Sequence, residues 1–197
     1  MLITKVIRVY RWKLLFKFQS ICIPKEASAG ISARVAMTTD YTIFLDYDNV
    51  TDETLQNELV YLQELFGLGD FHVFKTNEFG RHVICVDRLL LKEALEVVYS
   101  STCDYLFKKG IRYSEYRTWV LRAVEKGNRP KPNYLYSIES PYNGQRLQSQ
   151  AHALFLQRYY GAKVRLVNSD GNDELEIQGY KTANKTSLKE LKENKGK

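Results

Sequence analysis

The stretch Tyr41-Thr42-Ile43-Phe44-Leu45-Asp46-Tyr47-Asp48-Asn49 decides how this chain is read. Tyr41 to Leu45 are apolar, aromatic or β-branched, which is the composition of a buried strand. The run breaks into Asp-Tyr-Asp-Asn, and Thr51 or Asp52 is then placed to cap a helix. Leu55, Leu59, Leu62, Leu65 and Phe66 recur at helical spacing, and Gly67 and Gly69 stop the helix. Phe71–Lys75 predicts a second strand, Asn77 to Gly80 a turn, and Arg81–Val86 a third strand, so the two strands form a hairpin. Asp87 is placed to cap a second helix carried by Leu90, Ala94, Leu95 and Val98, and Arg117–Val124 predicts a fourth strand.

The resulting order, β-α-β-β-α-β, defines an α+β chain with a ferredoxin-like or RNA-recognition-like core over residues 38–135. Lys126 to Pro132 is a loop rich in breakers, and Tyr134–Ile138 reads as a short strand. Residues 136–180 are expected to pack on the core as a helix, Gln145–Tyr160, and a hairpin, Lys163–Val167 with Glu174–Ile177. Residues 181–197 have almost no apolar content and are expected to be a disordered tail.

Charge divides the chain sharply. Of 29 basic and 23 acidic residues, seven bases and one acid lie in residues 1–36, so the remainder is balanced at 22 of each. A basic chain points to nucleic acid, but here the whole excess sits in an N-terminal extension. Three readings of residues 1–36 are open: a presequence-like amphipathic segment, a basic arm for phosphates or an anionic surface, or an untranslated leader with Met37 as the start. No apolar run reaches the roughly 20 residues of a membrane span, so no integral membrane association is expected, and the cytoplasm is the expected location. Cys22, Cys85 and Cys103 are too scattered for a disulfide framework, and His72, His82 and His152 make no zinc-binding spacing. Neither common glycine-rich nucleotide loop is present.

Side chains alternate along a strand, so Thr42, Phe44, Asp46 and Asp48 share one face. With His82 and Arg122 on neighbouring strands, these residues are expected to gather on a sheet face left open by helices that cover only the other side. Two carboxylates one residue apart can ligate Mg2+ or Mn2+. A histidine and an arginine beside them can hold nucleotide phosphates, a combination suited to metal-assisted phosphoryl transfer.

These residues resemble the archaeo-eukaryotic primase superfamily over about residues 41–135. Thr42 to Asp48 (TIFLDYD) is similar to its first motif, an apolar strand ending in Asp-x-Asp, and Lys75 to Val83 is similar to its second, a turn leading to a strand histidine. The resemblance implies a small plasmid- or virus-type DNA-replication protein that transfers nucleotides on a DNA template, with nucleoside triphosphates and DNA as partners. Asp46 and Asp48 would then be the metal ligands, His82 the nucleotide-binding histidine and Arg122 a charge-neutralising residue. The third motif supplies another metal-binding acid, yet Arg117 to Arg122 holds none; Asp104 and Glu125 flank it.

Each feature also has a plainer reading. Asp46 and Asp48 suit a strand end, Arg122 suits a buried ion pair, and Ser149 has no histidine at a recognisable hydrolase spacing. Lys126, Arg129 and Lys131 are candidate phosphate contacts on their loop, or simply a solvated loop. Tyr113, Tyr116, Tyr134, Tyr136 and Tyr142 interleave with Arg112, Arg117 and Arg129, a pattern for stacking unpaired bases. A non-catalytic single-strand-binding module and a protein-interaction domain therefore stand beside the enzyme.

Overall fold

The computed structural model describes residues 2–9, 12–19, 27–113, 119–171 and 173–181. The chain forms two compact units, Met1–Ser28 with Gly179–Lys197, and Ala29–Gln178. In the first unit, β1 (Leu2–Val9) and β2 (Trp12–Gln19) pair antiparallel from Leu2↔Gln19 to Val9↔Trp12. Of the expected disordered tail, 181–197, Lys181 ends a strand and 182–197 lie outside the described residues, as does Cys22.

The second unit is an α+β body with an open antiparallel sheet. Its elements are β3 (Ala27–Ala36), β4 (Asp40–Tyr47), α1 (Asp52–Phe66), β5 (Phe71–Lys75), β6 (Arg81–Leu90), α2 (Leu91–Ser100), α3 (Tyr105–Tyr113), β7 (Val120–Arg122), β8 (Asn133–Ile138), α4 (Gln150–Tyr160) and β9 (Glu174–Lys181). The sheet order is β7-β3-β4-β6-β5-β8, with β9 also paired to β3.

The expected neighbours β4, β6 and β5 lie side by side, with Ile43↔Cys85, Asp46↔His82 and Phe74↔His82 in register. The local signals around them act as read. Thr51 Oγ1 accepts from the Thr54 amide at the start of α1, and Gly67 closes it in the left-handed region at φ 60°.

Beyond these strands the sequence reading needs correction. The strand of Arg117–Val124 is not beside β4. It is reduced to β7 among the described residues, and β3 lies between them. Residues 27–36 are therefore part of the sheet, where the sequence suggested an extension up to residue 36. Ile31, Ala33 and Val35 alternate along the strand and are 1%, 0% and 0% exposed, which anchors it in the core. Met37 is the 82% exposed tip of the β3–β4 turn, with φ 66°.

Asp87 does not cap α2. β6 runs on through it to Leu90, and the buried Asp87 carboxylate accepts from the Gly69 amide at 2.6 Å instead. The long C-terminal helix begins only at Gln150, because Ser149 caps it and residues before Ser149 run extended against Val86 and Asn168. The expected hairpin of 163–167 with 174–177 is absent: β9 pairs with β3, and Arg165 is held by Asp70 at 2.8 Å.

A further correction concerns the sheet faces. Tyr47 points to α1, where its hydroxyl donates to Glu58 at 2.9 Å. Phe44, on the other face by strand alternation, meets His152 of α4 at 5.8 Å between ring centroids, and Phe74 meets Tyr160 at 4.9 Å. Helices therefore cover both faces, and the open face expected from the sequence does not exist. Phe44, Phe74 and Ile84 are all 2% exposed or less.

A chain beginning at Met37 lacks β3. Burial of Ile31 and Val35 alone contributes on the order of 3–6 kcal/mol, against a typical net stability of about 5–15 kcal/mol. Urea unfolding followed by circular dichroism is expected to show a lost or strongly weakened cooperative transition in that shortened chain. An unchanged transition would show that β3 adds nothing to the fold.

Candidate functional site

With both faces covered, chemistry is confined to the end of the β4–β6 ladder. Asp46 and His82 are cross-strand partners there, with Nε2 of His82 3.5 Å from Oδ1 of Asp46. His82 is buried, and desolvation, with Arg122 and Arg129 adding to it, pulls its pKa from 6.5 to about 3. The imidazole is therefore neutral near pH 7, and its contact with Asp46 is not an ion pair.

Asp46 is displaced the other way. Burial, then the charges of Asp48 and Asp104, raise its pKa from 3.8 to about 6, with Arg129 and Arg122 partly offsetting them. Three carboxylates and two arginines thus lie within electrostatic reach of one another. Asp104 enters by a backbone route: its amide donates to the Asp46 carbonyl at 2.7 Å. Its carboxylate caps α3, accepting from the Phe107 amide at 3.0 Å. Of the two acids flanking the expected third motif, Asp104 is the one beside the site. Glu125 is exposed and is not among the charges that displace Asp46.

Arg122 is buried, and its Nη1 donates to the carbonyls of Val124 at 2.7 Å and Pro130 at 2.6 Å. It therefore braces the loop as well as contributing charge. Within that loop Lys126 and Arg129 exchange backbone hydrogen bonds across Gly127, whose φ of 56° suits glycine. Arg129, read from sequence only as a phosphate contact, is a site residue by position. Lys131 is engaged elsewhere: its Nζ donates to the Tyr159 carbonyl at 2.7 Å and lies 3.6 Å from that ring's centroid. That contact sets Lys131 against the end of α4. Lys126 stays half-buried at the foot of the turn.

The remaining polar candidates are structural. His72 Nδ1 bonds the Ser137 hydroxyl at 2.7 Å. Ser149 does have a histidine, since its hydroxyl meets His152 Nδ1 at 2.7 Å. The arrangement is not a hydrolase triad, because Asp173 contacts the serine rather than the histidine, and Ser149 is fully buried. The tyrosines Tyr134 and Tyr136 bond Ser137 and Asp52. Tyr116 and Arg117 lie outside the described residues.

Among the described residues, no group of three or more His, Cys, Asp or Glu side chains is drawn close enough to hold a metal ion. Among them, too, no helix is long and apolar enough to cross a membrane. Comparison with protein-family models, with curated proteins and with solved structures finds no match to this chain.

Two pH effects follow from these groups. Between about pH 4 and 6 the folded chain holds a proton on Asp46 that the unfolded chain releases, so Asp46 lowers stability above that window. Asp46→Asn is expected to raise the unfolding free energy at pH 7 by roughly 1–3 kcal/mol, with the gain vanishing near pH 4. His82, His72 and His152 are held neutral, at about 3, 4 and 4, so unfolding takes up their protons below pH 6.5. Urea titrations are expected to show stability falling by roughly 3 kcal/mol or more from pH 7 to about pH 4.5. A flat profile would mean that these imidazoles are not buried neutral.

Proposed function

We propose that the protein is a primase-like nucleotidyltransferase that uses a divalent metal and acts on a DNA template. The observation that carries this reading is the gathering of Asp46, Asp48 and Asp104, with neutral His82 and the cations of Arg122 and Arg129, at one end of the central strand pair. The side-by-side order β4-β6-β5, joined by α1 and a hairpin, also agrees with an RNA-recognition-like core.

The donor set suits Mg2+ or Mn2+. It consists of hard carboxylate oxygens; burial first, and then the charges of Asp48 and Asp104, raise the pKa of Asp46, and a bound cation would offset that like charge. Asp46 and Asp48, supported by Asp104, would hold the ion, which supplies charge neutralisation at the transferring phosphate. Arg129 is exposed and placed to meet the triphosphate, while Arg122 fixes its loop. His82, being neutral, offers a hydrogen bond without adding charge.

A second reading rests on the spacing of the acids, which are within electrostatic reach but not gathered at coordination distance. It is a degenerate relative that binds single-stranded nucleic acid without catalysis.

Calorimetry of Mn2+ and nucleoside triphosphate with the full chain separates the two. Under the first reading, metal-dependent nucleotide binding disappears in Asp46→Ala/Asp48→Ala and weakens by about tenfold or more in Asp104→Ala. Nucleotide binding that is absent, or indifferent to these substitutions, removes the enzyme reading and leaves the second.

A further inference from the structure

The helix that Asp104 caps was not foreseen from the sequence, and its outer face carries a second site. Tyr105, Lys108, Lys109 and Arg112 stand at i, i+3, i+4 and i+7 and therefore form one stripe along α3. The opposite side holds the helix to the protein through Ile111, 2% exposed, and the half-buried Phe107. Across from the stripe stands Tyr99 of α2. These five residues alone line a cleft of about 230 Å³. A second hollow of about 170 Å³ shares Tyr99 and Arg112 and continues to Leu95 and Ile111.

Tyr99 and Tyr105 are 47% and 72% exposed, which is high for large aromatic side chains. Lys108 is tied back, its Nζ donating to the Ser101 carbonyl, while Lys109 and Arg112 reach solvent. Among the described residues, no carboxylate lines the cleft. The cationic character is local, because residues 37–197 have equal numbers of acids and bases.

We propose that the α2–α3 cleft binds single-stranded nucleic acid, stacking a base on Tyr105 and Tyr99 and setting phosphates on Lys109 and Arg112. An aromatic platform interleaved with cations matches an unpaired base followed by its phosphate. In a duplex the bases stack on one another and offer a tyrosine no open face. The proposal rests on and deepens the nucleic-acid reading above by giving the strand a second contact: Tyr105, in the cleft, directly follows Asp104 in the chain.

The test is fluorescence anisotropy of labelled oligothymidylate and oligouridylate with the full chain in the presence of chelator. Tyr105→Ala is expected to weaken binding about tenfold and Tyr105→Phe to restore it. Lys109→Gln/Arg112→Gln is expected to reduce the slope of log affinity against log salt by about 1.4, the share of two single-strand phosphate contacts. Circular dichroism should be unchanged, because these side chains are exposed. Asp46→Ala/Asp48→Ala should bind the oligonucleotides normally, so a wild-type chain that binds the strand but shows no metal-dependent nucleotide binding would sink the enzyme alone. The inference is overturned if the wild-type chain binds neither oligonucleotide, if the α3 variants bind as the wild type does, or if only anionic phosphatidylserine vesicles are bound.

Discussion

The antiparallel pairing of β4 with β6 is the constraint from which the rest of the body follows. It places Ile43 opposite Cys85 and Leu45 opposite Val83, all fully buried, and so fixes which side chains face α1 and α2. A slip of one residue would send Phe44 and Phe74 into the wrong layer. The same register sets Asp46 against His82 at the end of the ladder. Core and candidate site are consequences of one register, and neither can be altered alone.

Buried polar groups organise what the central strands leave undetermined. Asp87, fully buried, accepts from Gly69 and Gln148, and Gln148 in turn donates to Asn143 at 2.6 Å. A Cβ on Gly69 would come within 2.8 Å of the Asp87 carboxylate, so this glycine, two residues past the one that closes α1, admits the contact. Asp70 collects the Ser140 amide, Asn143 and Arg165. Together these bonds hold the irregular stretch between Ser140 and Asn168 against the sheet. Such groups stabilise only while each keeps its partners.

This explains what could be read in advance. The strands at Tyr41, Phe71 and Arg81, and the helix from Asp52 to Gly67, announce themselves by composition, period and caps, because each is specified by its own residues. The pairing partner of β4 is not. Ile31, Ala33 and Val35 carry a clear alternation, but the surrounding basic charge draws attention away from it, and nothing local says that β3 and not the later strand sits beside β4. Asp87 and the stretch before Ser149 resemble a cap and a helix start; distant partners, Gly69 and Val86, override both. At the site, Asp46, Asp48, His82 and Arg122 were legible as types in a pattern. Asp104 was visible only as an acid near the expected motif, since its place depends on a backbone bond to Asp46. The contacts of Lys131 with Tyr159 and Tyr160 had no local signal, since they join residues far apart in the chain.

The distribution of charge pairs gives the acidic site its meaning. Asp40, Asp52 and Asp70 each face an arginine at under 3 Å: Arg88, Arg81 and Arg165. These three carboxylates have a direct arginine partner, whereas the fully buried Asp87 relies on the Gly69 amide and Gln148. Around Asp46 stand two further acids, a neutral imidazole and the charges of Arg129 and Arg122, the latter also bonded to backbone carbonyls. A cluster shaped only by stability would exchange one of these acids for an amide or pair it as elsewhere. The like charge around Asp46, only partly offset by Arg129 and Arg122, is the feature of this end of the ladder on which the proposed metal site rests.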